Sequence, residues 1–249
     1  MSRRRGLVAA VLVLGLVGAV GPAWGQLEGI FKQFPQIPQL PGTPASGSIG
    51  DVKIGQGLKE ALQVCTANAV SLTGRADGYF KNEAIKILLP DKLQSLDRGL
   101  RLVGYGPQLD ELVLGMNRAA ERAAPAAKQI FWDAIGDMSI DDARHILDGG
   151  NTAATDYFKG KTTPRLTSAF GPVVEKSMGQ VGVTRQYQDL LGRAKSIPFL
   201  DTEAFDLDHY VVGRALEGLF HVVGEQEAKI RTNPAARTTE LLREVFSRR

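Results

Sequence analysis

The chain is predicted to be all-α, folded as a single compact multi-helix bundle, and three observations carry that expectation. From Asp51 onward apolar residues recur at helical spacing. No sustained alternating run bounded by hairpin turns interrupts them, so strands are not expected. Small residues concentrate in Ala119-Ala120, Ala123-Ala124 and Ala126-Ala127, which lets helices approach closely and suits a bundle with short connections.

Residues 1–25 have the layout of a secretory signal peptide. Arg3, Arg4 and Arg5 form the positive start, Leu7 to Val20 the apolar run, and Ala23-Trp24-Gly25 the small-residue end, so cleavage is expected between Gly25 and Gln26 and the mature protein in the periplasm. A membrane anchor is the competing reading, but the run falls short of the ~20 apolar residues a spanning helix needs. Gly15, Gly18, Gly21 and Pro22 also break it, so the mature chain is not expected to be an integral membrane protein. Lipidation at the cut site needs a cysteine there, and the single cysteine is Cys65.

Of the 30 Lys and Arg residues three lie in this signal, and the remainder balance the 27 Asp and Glu. Formal neutrality removes the net attraction that draws proteins onto nucleic acid or anionic lipid, so no nucleic-acid partner is expected. Lys229, Arg231, Arg237, Arg243, Arg248 and Arg249 form a C-terminal basic cluster, read either as a local patch or as cations complementing helix C-termini. One cysteine cannot staple an exported fold, so packing must hold it. Cys65 falls in line with Leu58, Leu62, Ala69 and Leu72, as a buried inert thiol does.

Residues 26–50 are rich in Pro, Gly and Ser and read as a linker. Pro35, Pro38, Pro41 and Pro44 recur every third position and favour extended polyproline geometry. A plain tether accounts for them; a docking peptide anchored by Phe34, Ile37 and Leu40 is the functional alternative.

Residues 51–249 form the helical domain. Ile54, Leu58, Leu62, Cys65, Ala69 and Leu72 mark a first stripe, ending near Gly74. Leu93, Leu96, Leu100 and Val103 mark a second, opened by Pro90-Asp91 and closed by Gly104 and Gly106. Leu109, Leu112, Met116, Ala119 and Ala123 mark a third, after which Pro125 starts or kinks a helix through Ile130, Phe131 and Ile135. Ser139 to Asp142 resembles a capping arrangement with Asp in place of Glu, opening a short helix that Gly149-Gly150 stops. Short helical pieces are expected at Asn151–Lys159, Pro164–Gly179 and Thr184–Ala194, then longer ones at Asp206–Thr232 and Pro234–Ser247.

Several blocks resemble a bacterial family known only as domain of unknown function forty-one ninety-seven. They are Gly57 to Leu62, Met116 to Glu121 with Ala124-Pro125, Met138 to Ala143, Ala153 to Phe158, Gly218 to Phe220 and Ile230 to Arg237, in a stretch from about 51 to 247. The resemblance implies an exported, mostly helical protein of a Gram-negative bacterium, with no activity to carry over.

Candidate chemistry is sparse. Asp141, Asp142 and His145 offer at most two metal ligands on one face, and no HExxH or paired-cysteine motif supplies others; helix-start carboxylates and local bonding by His145 are the preferred explanation. Glu217 and His221 form an i, i+4 pair extended by Tyr210, Arg214 and Glu225. In a cleft Glu217 would orient His221 as a general base and Arg214 would hold an anion; on a solvated face the set is structural. Asp201, Glu203, Asp206 and Asp208 lack the glycine turn of a calcium loop, and Gly160-Lys161-Thr162 lacks phosphate-loop spacing. No cofactor is expected.

The polar residues of the motif blocks, Asn117, Arg118, Glu121, Asp156, Tyr157, Arg231 and Arg237, are expected to form a buried or half-buried network fixing helix register. Their other use would be an anion site built on Arg118 and Arg231. Three functions follow in order of preference. The first is a non-catalytic module that binds an unidentified protein or small molecule in the cell envelope. The second is a carrier of an apolar molecule lined by Phe131, Trp132, Phe158, Phe170, Phe199 and Phe220. The last is a hydrolase using His221 or His145.

Overall fold

A computed structural model of the chain describes residues 49–180 and 206–233, with positions 182, 185, 187–189 and 192 between them. Among the described residues there are seven α-helices and no strand. They are α1 (Ile49–Gly74), α2 (Asp91–Leu102), α3 (Gly106–Ala123), α4 (Ala127–Gly136), α5 (Ile140–Asp148), α6 (Ala153–Gln180) and α7 (Leu207–Thr232). The expected all-α bundle is the observed fold. No described helix is long and apolar enough to cross a membrane.

The first stripe enters the core as expected, with Leu58, Leu62, Cys65 and Ala69 buried. Ala119, Ala120, Ala123, Ala124 and Ala127 are wholly buried where α3 turns into α4 through the 3-10 turn Ala124–Ala126 at Pro125. These small side chains let that corner lie against α1 and α6. Around it α6 packs on α7 and α3, and α1 packs on α7 and α4. Phe131 joins α4 to the long helices, its ring meeting Phe158 of α6 at 5.2 Å and Phe220 of α7 at 6.1 Å, both edge-on. Ser139 caps α5 through a reciprocal pair with Asp142, as its spacing implies.

Two boundaries differ from expectation. Gly106 opens α3 rather than closing α2, and the turn between them is made by Gly104 at φ +93°; Val103 is 69% exposed and leaves the core stripe. The pieces expected at Asn151–Lys159 and Pro164–Gly179 are one helix, α6, with Pro164 and Pro172 inside it. A proline inside a helix removes a hydrogen bond and costs about 3 kcal/mol or more. Here both prolines are exposed, as are Gly160 and Ser168, the residues whose carbonyls lose their partner, so both breaks fall on the solvent side of the helix. On the other side Phe158, Thr162, Leu166, Phe170, Val174 and Met178 are all buried at a constant i, i+4 step, and that continuous burial holds the helix through both prolines. Of the segment expected at Thr184–Ala194 only Arg185, Tyr187, Gln188, Asp189 and Gly192 are described, all helical. Pro234–Ser247 lies outside the described residues, as do residues 1–48.

Candidate functional site

Between α1 and α2 the chain crosses the bundle as an irregular segment, Arg75 to Pro90. Its start is set by Asp77, at φ 64°, and by Gly78, where a Cβ would fall 2.4 Å from the carbonyl oxygen of Leu72. Irregular backbone inside a fold must find partners for its N–H and C=O groups, and side chains of α3 supply them. Glu121 is 4% exposed, and its Oε1 accepts from the amides of Tyr79 at 3.1 Å and Phe80 at 3.2 Å. Its Oε2 accepts from Nη1 of Arg118 at 2.7 Å, and Nη2 of Arg118 donates to Oδ1 of Asp77 at 2.6 Å. Asn117, wholly buried, treats Ile87 as a strand neighbour would: Oδ1 accepts its amide and Nδ2 donates to its carbonyl, each at 2.8 Å.

The long helix α7 holds the other side. The Tyr79 hydroxyl donates to the Ala215 carbonyl at 2.6 Å, and Tyr210 donates to the Leu88 carbonyl at 3.0 Å. Gly218 lets the segment lie flat on α7, since a Cβ there would meet the Tyr79 ring at 2.7 Å and Ile85 at 3.0 Å. Burial, reinforced by the Glu121 charge, pushes the Tyr79 hydroxyl far above its ordinary pKa. Lys81 and Arg118 hold Asp77 below the usual carboxylate range, and Glu121 holds Arg118 above its own.

Three clefts border this clamped segment. One of about 580 Å³ lies toward the end of α1 and includes Asp77, Lys81 and Glu225. A second of about 330 Å³ faces α7, with Lys86, Leu88, Arg214 and His221. A third of about 490 Å³ opens toward α2 and α3 over Phe80, Leu88, Leu89 and Val113, with Lys86 and Arg101 at its sides. Lys86, Leu88 and Gln94 belong to both of the last two.

A separate buried network closes the opposite part of the bundle. Glu227, 4% exposed, accepts from the amides of Ala154 at 3.0 Å and Thr155 at 2.9 Å, so its carboxylate fills the anion site at the N-terminus of α6. Arg231 bonds Glu227 at 2.9 Å and the Ile146 carbonyl at 2.7 Å, locking α5, α6 and α7 together.

A family model described as protein of unknown function DUF4197 matches residues 48–247. The chain belongs to this family. No curated protein and no solved structure matches it.

In this DUF4197 chain the expected network therefore exists as two, with Arg118 in the first and Arg231 in the second. Each arginine is bound to internal carboxylates, which corrects the idea of a shared anion site. Asp156 and Tyr157 join neither: Asp156 accepts from the Thr152 hydroxyl at 3.1 Å and Tyr157 donates to the Ala134 carbonyl at 3.2 Å. Arg237 lies outside the described residues.

The Glu217–His221 dyad is replaced by two other pairs. Glu217 accepts from Arg214 at 2.8 Å and His221 lies 3.5 Å from Glu225, because each finds a cationic or acidic partner on its own exposed turn of α7. His145 is exposed, Asp141 pairs with Arg144 at 3.4 Å, and no group of metal-ligating side chains exists among the described residues. Phe131, Phe158, Phe170 and Phe220 fill the core, Trp132 is 37% exposed beneath Lys128, and Phe199 is undescribed.

Three contributors were missed from sequence: Asp77, Tyr79 and Glu227. For Glu227 the signal was available, since Arg231 follows at i, i+4 on a helix. Asp77 and Tyr79 sit in a segment with no period to read.

Proposed function

We propose that this DUF4197 protein is an exported, non-catalytic binding module of the cell envelope, and that it recognises its partner with the clamped segment Phe80–Leu89. The single supporting observation is the investment of buried polar groups in that segment. Asn117 and Glu121 bond the irregular backbone directly, and Arg118 ties Glu121 to the Asp77 side chain at its start, rather than joining helices. A loop fixed on a rigid scaffold is how binding surfaces keep their shape. The outcome is a surface strip in which Leu88 is 52% exposed between two clefts. Export rests on the layout of residues 1–25, and the non-catalytic reading on the pairing of Glu217 with Arg214 and of His221 with Glu225, so that Glu217 and His221, which both border the cleft of about 330 Å³, do not orient one another.

Native mass spectrometry of the protein purified from its own periplasm tests this. The parent is expected to retain a partner, polypeptide or small molecule, that Leu88→Asp loses while keeping its helical circular dichroism. Equal retention by both proteins refutes the assigned surface. A mature product still carrying residues 1–25 in the cytosol refutes the envelope role.

A further inference from the structure

Resting on the binding-module reading, the geometry points to the class of ligand for the cleft between the clamped segment and α2: a free small molecule with an apolar body and a zwitterionic head. The cleft holds about 490 Å³, inside the ~300–1,000 Å³ of ligand pockets. Its floor is apolar, made by Phe80, Leu89 and Val113, with Leu88 at the rim. Its polar groups are divided between two walls.

The wall formed by the segment carries a cation. Lys86 Nζ lies 4.9 Å from the centre of the Phe80 ring, which fixes it over the floor, and its nearest carboxylate, Glu83, is 3.8 Å away and 85% exposed. That separation is too long for a hydrogen bond, so Lys86 keeps donors for an incoming anion. The wall formed by α2 and α3 carries the opposite sign. Arg101 bonds both Asp97 at 2.9 Å and Asp110 at 2.7 Å, so one cation faces two carboxylates and a single negative charge is left over. Asp110 is 67% exposed and has room for a second cation.

A purely anionic ligand would meet Lys86 but gain nothing from the Asp97–Arg101–Asp110 wall. A purely cationic one would do the reverse. A head with both charges complements both walls while its apolar body covers the floor. Phe80 and Ile87 are the residues whose backbone Glu121 and Asn117 hold, so the network sets the wall that carries Lys86.

The test is calorimetric titration of the whole protein with four octyl probes below their micelle concentrations: a dimethylglycine betaine, octanoate, octyltrimethylammonium and octanol. The betaine is expected to bind up to about fivefold tighter than either singly charged probe, the range that the one additional half-exposed ion pair supplies. Lys86→Gln should bring the betaine down to the ammonium probe, and Asp110→Asn should bring it down to octanoate, each leaving the other probe's affinity unchanged. Equal affinity for all four probes, lost together in Leu88→Asp, overturns the charge assignment and leaves the binding surface standing. No binding by any probe, or binding only to zwitterionic phospholipid vesicles, overturns the ligand class.

Discussion

Removing the Glu121 carboxylate measures how much of the fold depends on the clamp. In Glu121→Ala the amides of Tyr79 and Phe80 lose their acceptor, and Arg118 keeps only Asp77. A buried donor left unsatisfied costs ~1–3 kcal/mol, and breaking a buried ion pair from one side costs ~3–5 kcal/mol. The Phe80 amide is only partly buried and sits at the low end of the first range; Arg118 is one-third exposed and keeps Asp77, so its broken pair falls well below the buried-pair figure, to about 1 kcal/mol. The expected loss is about 3–5 kcal/mol, read as a roughly 6–20 °C fall in melting temperature for a chain of this size. Arg118→Ala leaves Glu121 with two backbone donors and should cost only ~1–2 kcal/mol. Glu121→Gln should fall between them, since the amide still accepts from the segment but sets its N–H groups against Arg118. Urea unfolding followed by circular dichroism, with an unchanged m-value, supplies the numbers. Equal losses for Glu121→Ala and Arg118→Ala would refute the clamp, because the reasoning assigns the backbone amides, and not the ion pair, the larger share.

The same substitution should change sign along one helix: Gly213→Ala, exposed with nothing within 4 Å, should stabilise by up to ~1 kcal/mol, whereas Gly218→Ala should destabilise by ~1–3 kcal/mol against the Tyr79 ring, both read by urea unfolding. The Cys65 thiol, pushed up to about 12 by burial and then by Glu227, should react with an aromatic disulfide at pH 8 on the order of a thousandfold more slowly in the native state than in urea. The Ser139 hydroxyl and amide hold the Asp142 carboxyl below its ordinary value, so the stabilisation it brings is complete above that value and is lost as pH falls through the depressed one. Carboxyl NMR should place the Asp142 titration below that of an unbonded aspartate, and Ser139→Ala should move it back up while costing about 1 kcal/mol of stability.

The residues of the candidate site were partly legible. Asn117, Arg118 and Glu121 stand out in the sequence as the polar residues of the Met116–Glu121 block, and an ion pair between the last two follows from one-turn spacing. Their targets did not follow. The carboxylate of Glu121 spends one oxygen on amides about forty positions earlier, a pairing that no local period encodes. The Glu217–His221 dyad failed for the converse reason: i, i+4 spacing permits a contact, but Arg214 and Glu225 compete for the same side chains on an exposed face, and water sets no preference for the catalytic pairing.

Helix identity, the all-α class, the Ser139 cap and the burial of Cys65 were determined by sequence alone, because each depends on groups within a few turns of one another and on the 3.6-residue repeat of apolar side chains. The tertiary structure decided the continuity of α6 through Pro164 and Pro172, the filling of its N-terminus by Glu227, and the course of residues 75–90. In each of these a local cost, a missing amide, a charge taken from water or an unpaired peptide group, is offset by a contact distant in sequence. Only the folded bundle brings that contact within reach.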